Sequence, residues 1–218
     1  MSGAPLQELP PPRLPASGWR GLAILGAIAL LAALLIGLAW QGTRFRIADN
    51  EARRILKELT TVLPAALYDN EPYRDVVLLD AGSGKLLPVY RARRNGVPAA
   101  AVLTVEAPDG YVGPVRLLVG VDSNGRVLGV HITVHSETPG VGDAVAAGVP
   151  PWVGMFTGRT PAAPPEAQWQ LQQDGGDFDA IAGATVSSRA VVGAVRRAVQ
   201  YFATHRDEIF AAPAGNPR

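Results

Sequence analysis

Residues 177–188, DFDAIAGATVSS, are the stretch of this chain with the clearest potential for chemistry. They follow a Gly-Gly pair, and from Val191 onwards apolar side chains recur at the three-to-four spacing of a helix face. A loop of small residues that enters a helix favours an anion, because the first-turn N–H groups have no partner within the helix and the helix dipole is positive there. Gly183 and Ala184 allow a ligand to approach closely, and Thr185 adds a hydroxyl group. The residues alone therefore predict a phosphate site at the start of a C-terminal helix.

The same stretch resembles the flavin-attachment motif of FMN-binding domains, in which an acid and two variable residues precede Ser or Thr and then Gly-Ala-Thr. The resemblance implies that Thr185 carries FMN through a phosphoester bond and that Asp179 is the acid of the motif. Ala182 stands where the motif has Ser or Thr, which removes one loop hydrogen bond but leaves the hydroxyl that must react. The two serines are expected as helix-start residues whose oxygens satisfy open N–H groups. The predicted cofactor-binding set at this loop comprises Thr185, Asp179, Gly183, Ala184, Ser187 and Ser188.

A second pair of segments flanks a predicted hairpin, with Gly110–Pro114 before it and residues 135–143 after it. A Pro-Gly pair in the later segment is typical of a tight turn with exposed N–H groups, and an ordinary strand-end turn is the simpler interpretation of the residues alone. Taken with residues 174–179, however, the order of these segments resembles the G subunit of the Rnf electron-transport complex. That resemblance implies that three further residues lie near the flavin: Glu137, Thr138 and Gly140.

From Gly21 to Trp40 the chain has 20 residues without a charge, GLAILGAIALLAALLIGLAW. As a helix this stretch spans about 30 Å, the thickness of the hydrocarbon core of a bilayer. Trp19 and Trp40 stand at its ends, where indole rings favour the membrane interface. A signal peptide would have a shorter apolar core and a small-residue cleavage site, and residues 40–44 provide a poor one. We therefore predict an uncleaved membrane anchor.

The local charges and the resemblance disagree about orientation. Two arginines precede the span and five basic residues follow it between residues 44 and 57, a count that puts the large domain in the cytoplasm. Long domains cross membranes largely regardless of charge, and the resemblance implies a periplasmic domain. We expect a single-pass protein of the bacterial inner membrane with its FMN domain on the periplasmic side.

The rest of the chain predicts an α+β fold. Apolar residues from Ala48 to Val62 indicate an amphipathic helix that ends before Pro64 and packs on its own domain. Strands are predicted at 76–79, 86–90, 99–105, 115–121 and 126–134, the last two joined by a turn at Asp122-Ser123-Asn124-Gly125. We expect a mostly antiparallel sheet followed by a long C-terminal helix.

The expected organisation has five parts. A disordered tail (1–18) is followed by the membrane anchor (19–42), the amphipathic helix with a linker (43–70), the FMN-binding domain (71–210) and a second disordered tail (211–218). Within the domain, residues 149–165 are rich in Pro, Gly and Ala and form a surface excursion whose packing anchors are Trp152 and Phe156.

Composition argues against several classes of function. The chain has 20 basic and 19 acidic residues, so nothing indicates nucleic-acid binding. It has no cysteine, which excludes disulfides, thiolate metal sites and a Cys nucleophile. His131, His135 and Glu137 share one face of a strand, but this is a weak metal pattern and no metal is expected. No G-x-S-x-G elbow surrounds Ser187, so a hydrolase is not supported.

The resemblance implies electron transfer through covalent FMN in a complex that couples ferredoxin and NAD redox chemistry to cation transport, with no stand-alone catalysis. The implied partners are the membrane, the other membrane subunits and a flavin transferase that takes FMN from FAD. Three alternatives remain open. They are the related C subunit of the sodium-pumping NADH:quinone oxidoreductase, a membrane-anchored regulatory or maturation protein with a flavin domain, and a non-redox structural tether in which the loop only begins a helix.

Overall fold

The computed structural model describes residues 16–80, 84–134 and 150–214. In chain order its helices and strands are α1 (Ala16–Val62), β1 (Val76–Leu79), β2 (Leu87–Arg94), β3 (Val97–Ala107), β4 (Val115–Asp122), β5 (Val127–Val134), α2 (Pro150–Gly154) and α3 (Thr185–Ala211). Short 3-10 turns lie at Ala65–Leu67, Glu166–Gln168 and Gln172–Asp174. The predicted α+β class, with an antiparallel sheet and a long terminal helix, is confirmed.

The chain divides into two compact units between Glu51 and Ala52, and residues of helix α1 belong to both. In the first unit, Trp19–Leu38 is a segment of 20 residues with mean hydropathy 2.7 and no buried share, long and apolar enough to cross a membrane. In the second unit, Leu59 and Val62 near the end of α1 are each 1% exposed. This end of the predicted amphipathic helix therefore packs on its own domain, as expected.

The five strands form one antiparallel sheet in which every strand pairs with the next in sequence. Between β2 and β3, Asn95 and Gly96 both have positive φ angles, 51° and 76°, as a type I′ hairpin turn requires. Between β4 and β5, Asp122 Oδ1 accepts the N–H groups of Asn124 and Arg126 at 2.8 and 2.9 Å. The predicted pairs β1–β2 and β4–β5 are both present.

Both faces of the sheet are buried, because successive side chains of a strand point to opposite faces. On β3, Leu103 and Val105 belong to the core that α3 covers, whereas Val102 belongs to the core that includes Leu59 and Val62 of α1. The sheet thus lies between the end of α1 and the whole of α3 within the second unit.

A pair of glycines allows the end of α1 to lie directly on the sheet. Gly120 and Gly129 are register partners on β4 and β5, and the backbone of Val62 lies against both. A Cβ atom on Gly120 would overlap the carbonyl oxygen of Val62. A larger residue at position 120 would therefore push the helix end off the strand.

Two arginines of β2 fasten the C-terminal end of α3. Arg91 is 2% exposed, pairs with Asp75 and donates to the carbonyl oxygens of Ile209 and Ala212 at 2.9 and 2.5 Å. Arg93 also pairs with Asp75 and bonds a third carbonyl group at this end. Cations here complement the negative end of the helix dipole. These contacts fix the far end of the helix whose first residue is the predicted attachment site.

Candidate functional site

The predicted attachment loop, residues 177–188, enters α3 through a tight turn. The N–H of Ala184 donates to the carbonyl oxygen of Ile181 at 2.9 Å, and Gly183, the third residue of the turn, has a φ of 80°. A positive φ at this position is typical of a type II turn and suits glycine, which has no Cβ to clash. The turn makes Thr185 the first residue of α3.

Helix α3 begins with N–H groups that have no backbone acceptor among the residues that the structure describes. The first bond of the helix runs from the N–H of Ser188 to the carbonyl oxygen of Ala184 at 2.9 Å, which leaves the amides of Thr185, Val186 and Ser187 open. Ala184 supplies no side-chain cap, and Thr185 is half-buried. Open amides at the positive end of a long helix attract a phosphate group.

Ser187 and Ser188 are fully buried and hold neighbouring loops. Ser188 Oγ accepts the N–H of Ile181 at 3.1 Å, and Ser187 Oγ accepts the N–H of Tyr111 at 3.3 Å. We expected these oxygens to satisfy the open amides of the helix start. They bond loop amides instead, because both side chains are buried within the domain. Their direct contact with a cofactor stays a prediction.

Four aromatic rings support the loop. Trp152, Phe156, Phe178 and Trp169 form a chain of ring contacts with centroid separations of 5.6, 5.1 and 5.0 Å. Trp152 Nε1 donates to the carbonyl oxygen of Asp179 at 2.7 Å, which fixes the backbone just before the turn. The predicted packing anchors Trp152 and Phe156 are confirmed, whereas the bond from Trp152 to the loop is new.

Asp179 and Ala182 are both exposed. No residue that the structure describes forms an ion pair with the Asp179 carboxylate, so this group is available to another molecule. Ala182 is the second residue of the turn, at the surface of the loop. The hydroxyl that the motif has at this position would therefore be solvated, and its replacement by a methyl group leaves no buried polar group without a partner.

Two glycines and an ion pair shape the entry to the loop. Gly175 has a φ of 90°, and a Cβ atom on Gly176 would overlap the carbonyl group of Gln170. The neighbouring Asp174 accepts two hydrogen bonds from Arg189 at 2.7 and 2.9 Å. The Arg189 guanidinium lowers the pKa of the Asp174 carboxyl group. This pair ties the entry of the loop to the second turn of α3.

Exposed apolar side chains surround the start of α3. Val186 is 44% exposed, and Tyr111 and Val112 are 74% and 51% exposed. The hydrogen bond between Tyr111 and Ser187 brings the 110–114 segment to the first turn of α3. The structure thus joins two segments that the sequence presented separately, and a flat ring linked to Thr185 could pack on their apolar surface.

The other predicted site residues, Glu137, Thr138 and Gly140, lie outside the described residues, as does His135. His131 lies on β5 and is half-buried. Within residues 16–80, 84–134 and 150–214, no three His, Cys, Asp or Glu side chains are grouped to hold a metal ion.

Comparison with known proteins places this loop in a family. The family model of the FMN-binding domain matches residues 110–200. The G subunit of the ion-translocating oxidoreductase complex of Cereibacter sphaeroides (strain ATCC 17029) is 41% identical over 209 residues, which cover 93% of this chain and 94% of the relative. The G subunit from Pseudomonas aeruginosa (strain PAO1) is 41% identical over 196 residues, 88% of this chain and 92% of the relative.

A solved structure, that of the C subunit of the Na⁺-translocating NADH-quinone reductase of Parabacteroides distasonis, is 20% identical and aligns with a TM-score of 0.45 over 61% of this chain and 67% of that chain. The G subunit from Aliivibrio fischeri (strain MJ11) is 39% identical over 194 residues, 87% of this chain and 92% of the relative. Identities of 39–41% across nearly the full length decide which family applies. The chain belongs to the family of G subunits of ion-translocating oxidoreductase (Rnf) complexes.

Proposed function

We propose that this chain is the flavoprotein subunit of an Rnf-type complex and relays electrons through FMN esterified to Thr185. The observation that carries the proposal is the position of Thr185, a half-buried hydroxyl residue that begins α3 inside the segment matched by the FMN-binding domain. The identity of the complex is inferred from the names of the relatives, which are subunits of an ion-translocating oxidoreductase complex. In it, electron flow between ferredoxin and NAD would be coupled to cation transport.

The residues around Thr185 suit a flavin phosphate. A phosphodiester carries a negative charge, which the open amides and positive end of α3 stabilise. Gly183 leaves the approach to the turn free of a side chain, and the exposed Tyr111 and Val186 offer an apolar surface for the ring. FMN would supply the electron transfer, while the protein binds the cofactor and orients it.

The attachment step exchanges a phosphoanhydride bond of FAD for a phosphoester bond to Thr185. Thr185 Oγ forms a bond to the FMN phosphorus of FAD, and the bond from that phosphorus to the bridging pyrophosphate oxygen breaks. AMP leaves, and the hydroxyl proton passes to a base of the flavin transferase. Nothing is oxidised or reduced. Thr185 is then a substrate residue of the transferase, and the exposed Asp179 carboxylate is available for recognition.

The other residues of the predicted set have supporting roles in this proposal. We propose, as the resemblance implies, that Glu137, Thr138 and Gly140 lie near the ring. Ser187 and Ser188 act by holding the loops beside Thr185 with the hydrogen bonds described above.

The proposal also gives the domain a location. Helix α1 anchors the chain in the inner membrane, and the FMN domain lies on the periplasmic side. A flavin held there without a covalent bond would be lost by diffusion, whereas a phosphoester keeps the site permanently occupied. The span itself has no charged residue between Gly21 and Trp40, so this chain relays electrons and other membrane subunits provide the ion path.

The test uses in-gel flavin fluorescence. The full chain is co-expressed with a flavin transferase, denatured and separated on a gel. We expect a fluorescent band for the wild-type chain and only background for Thr185→Val, which keeps the β-branched shape but lacks the nucleophilic oxygen.

The matched control is Thr185→Ser, which retains a hydroxyl and should retain a fluorescent band. A band that persists in Thr185→Val would move the bond to another residue. No band in the wild-type chain, with a transferase shown to modify another substrate, would rule out the covalent flavoprotein.

A further inference from the structure

A groove separate from the surface around Tyr111 and Val186 lies between α3 and the segment 169–174. Its volume is about 380 Å³, within the range of pockets that bind small molecules or protruding side chains. Polar and charged side chains line both sides: Gln170 and Asp174 on the loop, and Arg189 and Arg196 on the helix, where Gly193 also lines the groove.

Arg196 gives the groove an uncompensated charge. Its Nε atom is buried, and none of the residues that the structure describes accepts the hydrogen. Buried donors without a partner are rare and destabilise the folded state. Arg189, in contrast, is neutralised by its bidentate pair with Asp174. The groove therefore contains one guanidinium group, that of Arg196, whose Nε–H has no acceptor among the described residues.

Gly193 is the second unusual feature of the groove. It lies in the interior of α3, where glycine destabilises a helix relative to alanine. Its φ is not positive, and among the described residues a Cβ atom there would meet only the Nη1 atom of Arg197 at an ordinary distance of 3.5 Å. The described part of the fold therefore gives no reason for this glycine. Because glycine has no side chain, the groove stays open at this position.

We infer that the groove is a docking site for an acidic segment of another subunit, with a carboxylate of that segment bound by Arg196. A carboxylate would satisfy the buried Nε–H and compensate the charge, and a guanidinium binds a carboxylate with strong, directional hydrogen bonds. Arg is also among the residues that most often carry the binding energy of protein interfaces. The inference rests on membership of a multi-subunit complex and not on flavin attachment.

The absence of cysteine from this chain makes the inference directly testable. Gly193→Cys places a single thiol on the floor of the groove. Its alkylation rate by a maleimide is measured in the full-length chain alone in neutral detergent, and in the complex purified through a tag on this chain. A site that is occupied about 90% of the time reacts about tenfold more slowly, so we expect at least this protection in the complex.

The control thiol is Gly154→Cys in α2, an exposed glycine at which an added Cβ has no atom of the described residues within 4 Å. It should react at the same rate in both preparations. Equal rates for Gly193→Cys in the isolated chain and in the complex would overturn the inference.

The charge requirement is tested with two arginines of α3. Arg196→Gln, added to Gly193→Cys, should restore the alkylation rate in the complex to that of the isolated chain. Arg206→Gln removes the same charge from an exposed position further along the helix that does not line the groove, so protection should persist. Protection that survives Arg196→Gln, or disappears equally in both variants, contradicts the assigned role of Arg196.

The occupant is identified with a benzophenone maleimide on Gly193→Cys, followed by illumination of the complex and mass spectrometry. The expected product is a cross-link to a peptide of another subunit that contains Asp or Glu. A cross-linked peptide without an acidic residue would overturn the inference. Protection of the isolated chain by phosphatidylglycerol vesicles, but not by phosphatidylcholine vesicles, would do so too and would assign the groove to a lipid phosphate.

In-gel flavin fluorescence separates this inference from the proposed function. Each groove variant should keep the wild-type flavin band. Loss of the band together with unchanged protection would tie the groove to flavin transfer and overturn the docking role. A wild-type chain without flavin, but with Gly193→Cys protected in the complex, would reject the proposed cofactor and leave the docking site standing.

Discussion

Thr185 owes its position to a glycine two residues earlier. Gly183 holds a φ of 80° at the third position of the turn that leads into α3, a conformation that side chains with a Cβ rarely adopt. The turn sets where the open amides and the Thr185 hydroxyl stand relative to one another. The proposed attachment site therefore depends on backbone conformation as much as on the hydroxyl group.

Gly183→Ala tests this dependence. We expect the free energy of unfolding to fall by about 1–2 kcal/mol, because alanine must enter the left-handed region. The flavin band per molecule should be weaker, since the turn relaxes and displaces Thr185. Urea unfolding and in-gel fluorescence measure the two effects. Gly154→Ala, with no positive φ and no close neighbour, is the control, and wild-type stability of Gly183→Ala would contradict the argument.

Glu106 on β3 is a buried carboxylate held by two cations. Its side chain is 7% exposed, and it accepts hydrogen bonds from Lys85 Nζ at 2.5 Å and Arg116 Nη2 at 3.4 Å. The bond from Lys85 lowers the pKa of Glu106, against the effect of burial, which raises it. Because the folded-state pKa lies below the unfolded-state value, ionised Glu106 stabilises the fold above the ordinary pKa of 4.5.

Glu106→Gln should therefore reduce the free energy of unfolding by about 1 kcal/mol near neutral pH, since both cations are partly exposed and solvent screens them. The difference from wild type should shrink as the pH falls through the lowered pKa, where the carboxylate is protonated in both states. Urea unfolding between pH 7 and pH 3 measures it. Glu71→Gln, at an ion pair whose carboxylate side chain is 57% exposed, is the exposed control. A difference for Glu106→Gln that does not change with pH would contradict the prediction.

At the residue scale, the sequence was informative where a role depends on neighbours in the chain. The start of a helix at this loop could be predicted because a helix start is a local feature, whereas the turn at Gly183 was not predicted. The partner of Ser187 is Tyr111, 76 residues earlier, and Arg91 meets Ile209, 118 residues later. Such pairs depend on how the sheet and α3 pack, which local patterns do not encode.

At the scale of elements, α3 is fixed along its length and at both ends. Val191, Val195 and Val199 are buried in the core that the sheet shares, Ser187 and Ser188 hold its start, and Arg91 binds carbonyl groups at its end. A helix held this way presents its first turn in a defined orientation. The proposed phosphate-binding turn is therefore held in place by the contacts of α3 with the rest of the domain.

Arg91→Met tests the far end of α3. The variant leaves Asp75 without its buried partner and removes two hydrogen bonds to carbonyl groups, so we expect a loss of about 3 kcal/mol in the free energy of unfolding. Arg94→Met, an exposed position on the same strand, should lose far less. Urea unfolding of the two variants makes the comparison, and equal losses would argue against a stabilising role of the buried pair.

The elements themselves were largely predictable, since hairpins and amphipathic helices have local patterns. The turn at Asp122–Gly125 and the strands around it were predicted for this reason. The Asn-Gly pair at 95–96 is an equally local signal of a hairpin turn, but no turn was predicted there. The contact of Val62 with Gly120 could not be predicted, because a glycine in a strand does not show which backbone will approach it.

At the scale of the whole molecule, the chain combines a helix segment that can cross a membrane with a unit that begins at Ala52. We expect a fragment of residues 52–218 to be soluble and to unfold cooperatively, because its core excludes the apolar segment Trp19–Leu38. Centrifugation after cell lysis, followed by thermal unfolding of the supernatant, measures both properties. The full chain should sediment with membranes, and a fragment that also sediments would show a second membrane contact.

The order of the strands has a consequence for the timing of maturation. Because each strand pairs with its predecessor, the sheet can assemble hairpin by hairpin while the chain is still emerging, over loops whose closure costs little entropy. Helix α3 follows all five strands in the chain and packs on β3 and β4. These strands can therefore already be paired when the helix forms. Thr185 is the first residue of this helix, so its surroundings are complete only after the helix has packed. The proposed modification of Thr185 would therefore take place on a folded protein at the end of its biogenesis, and not on a nascent chain.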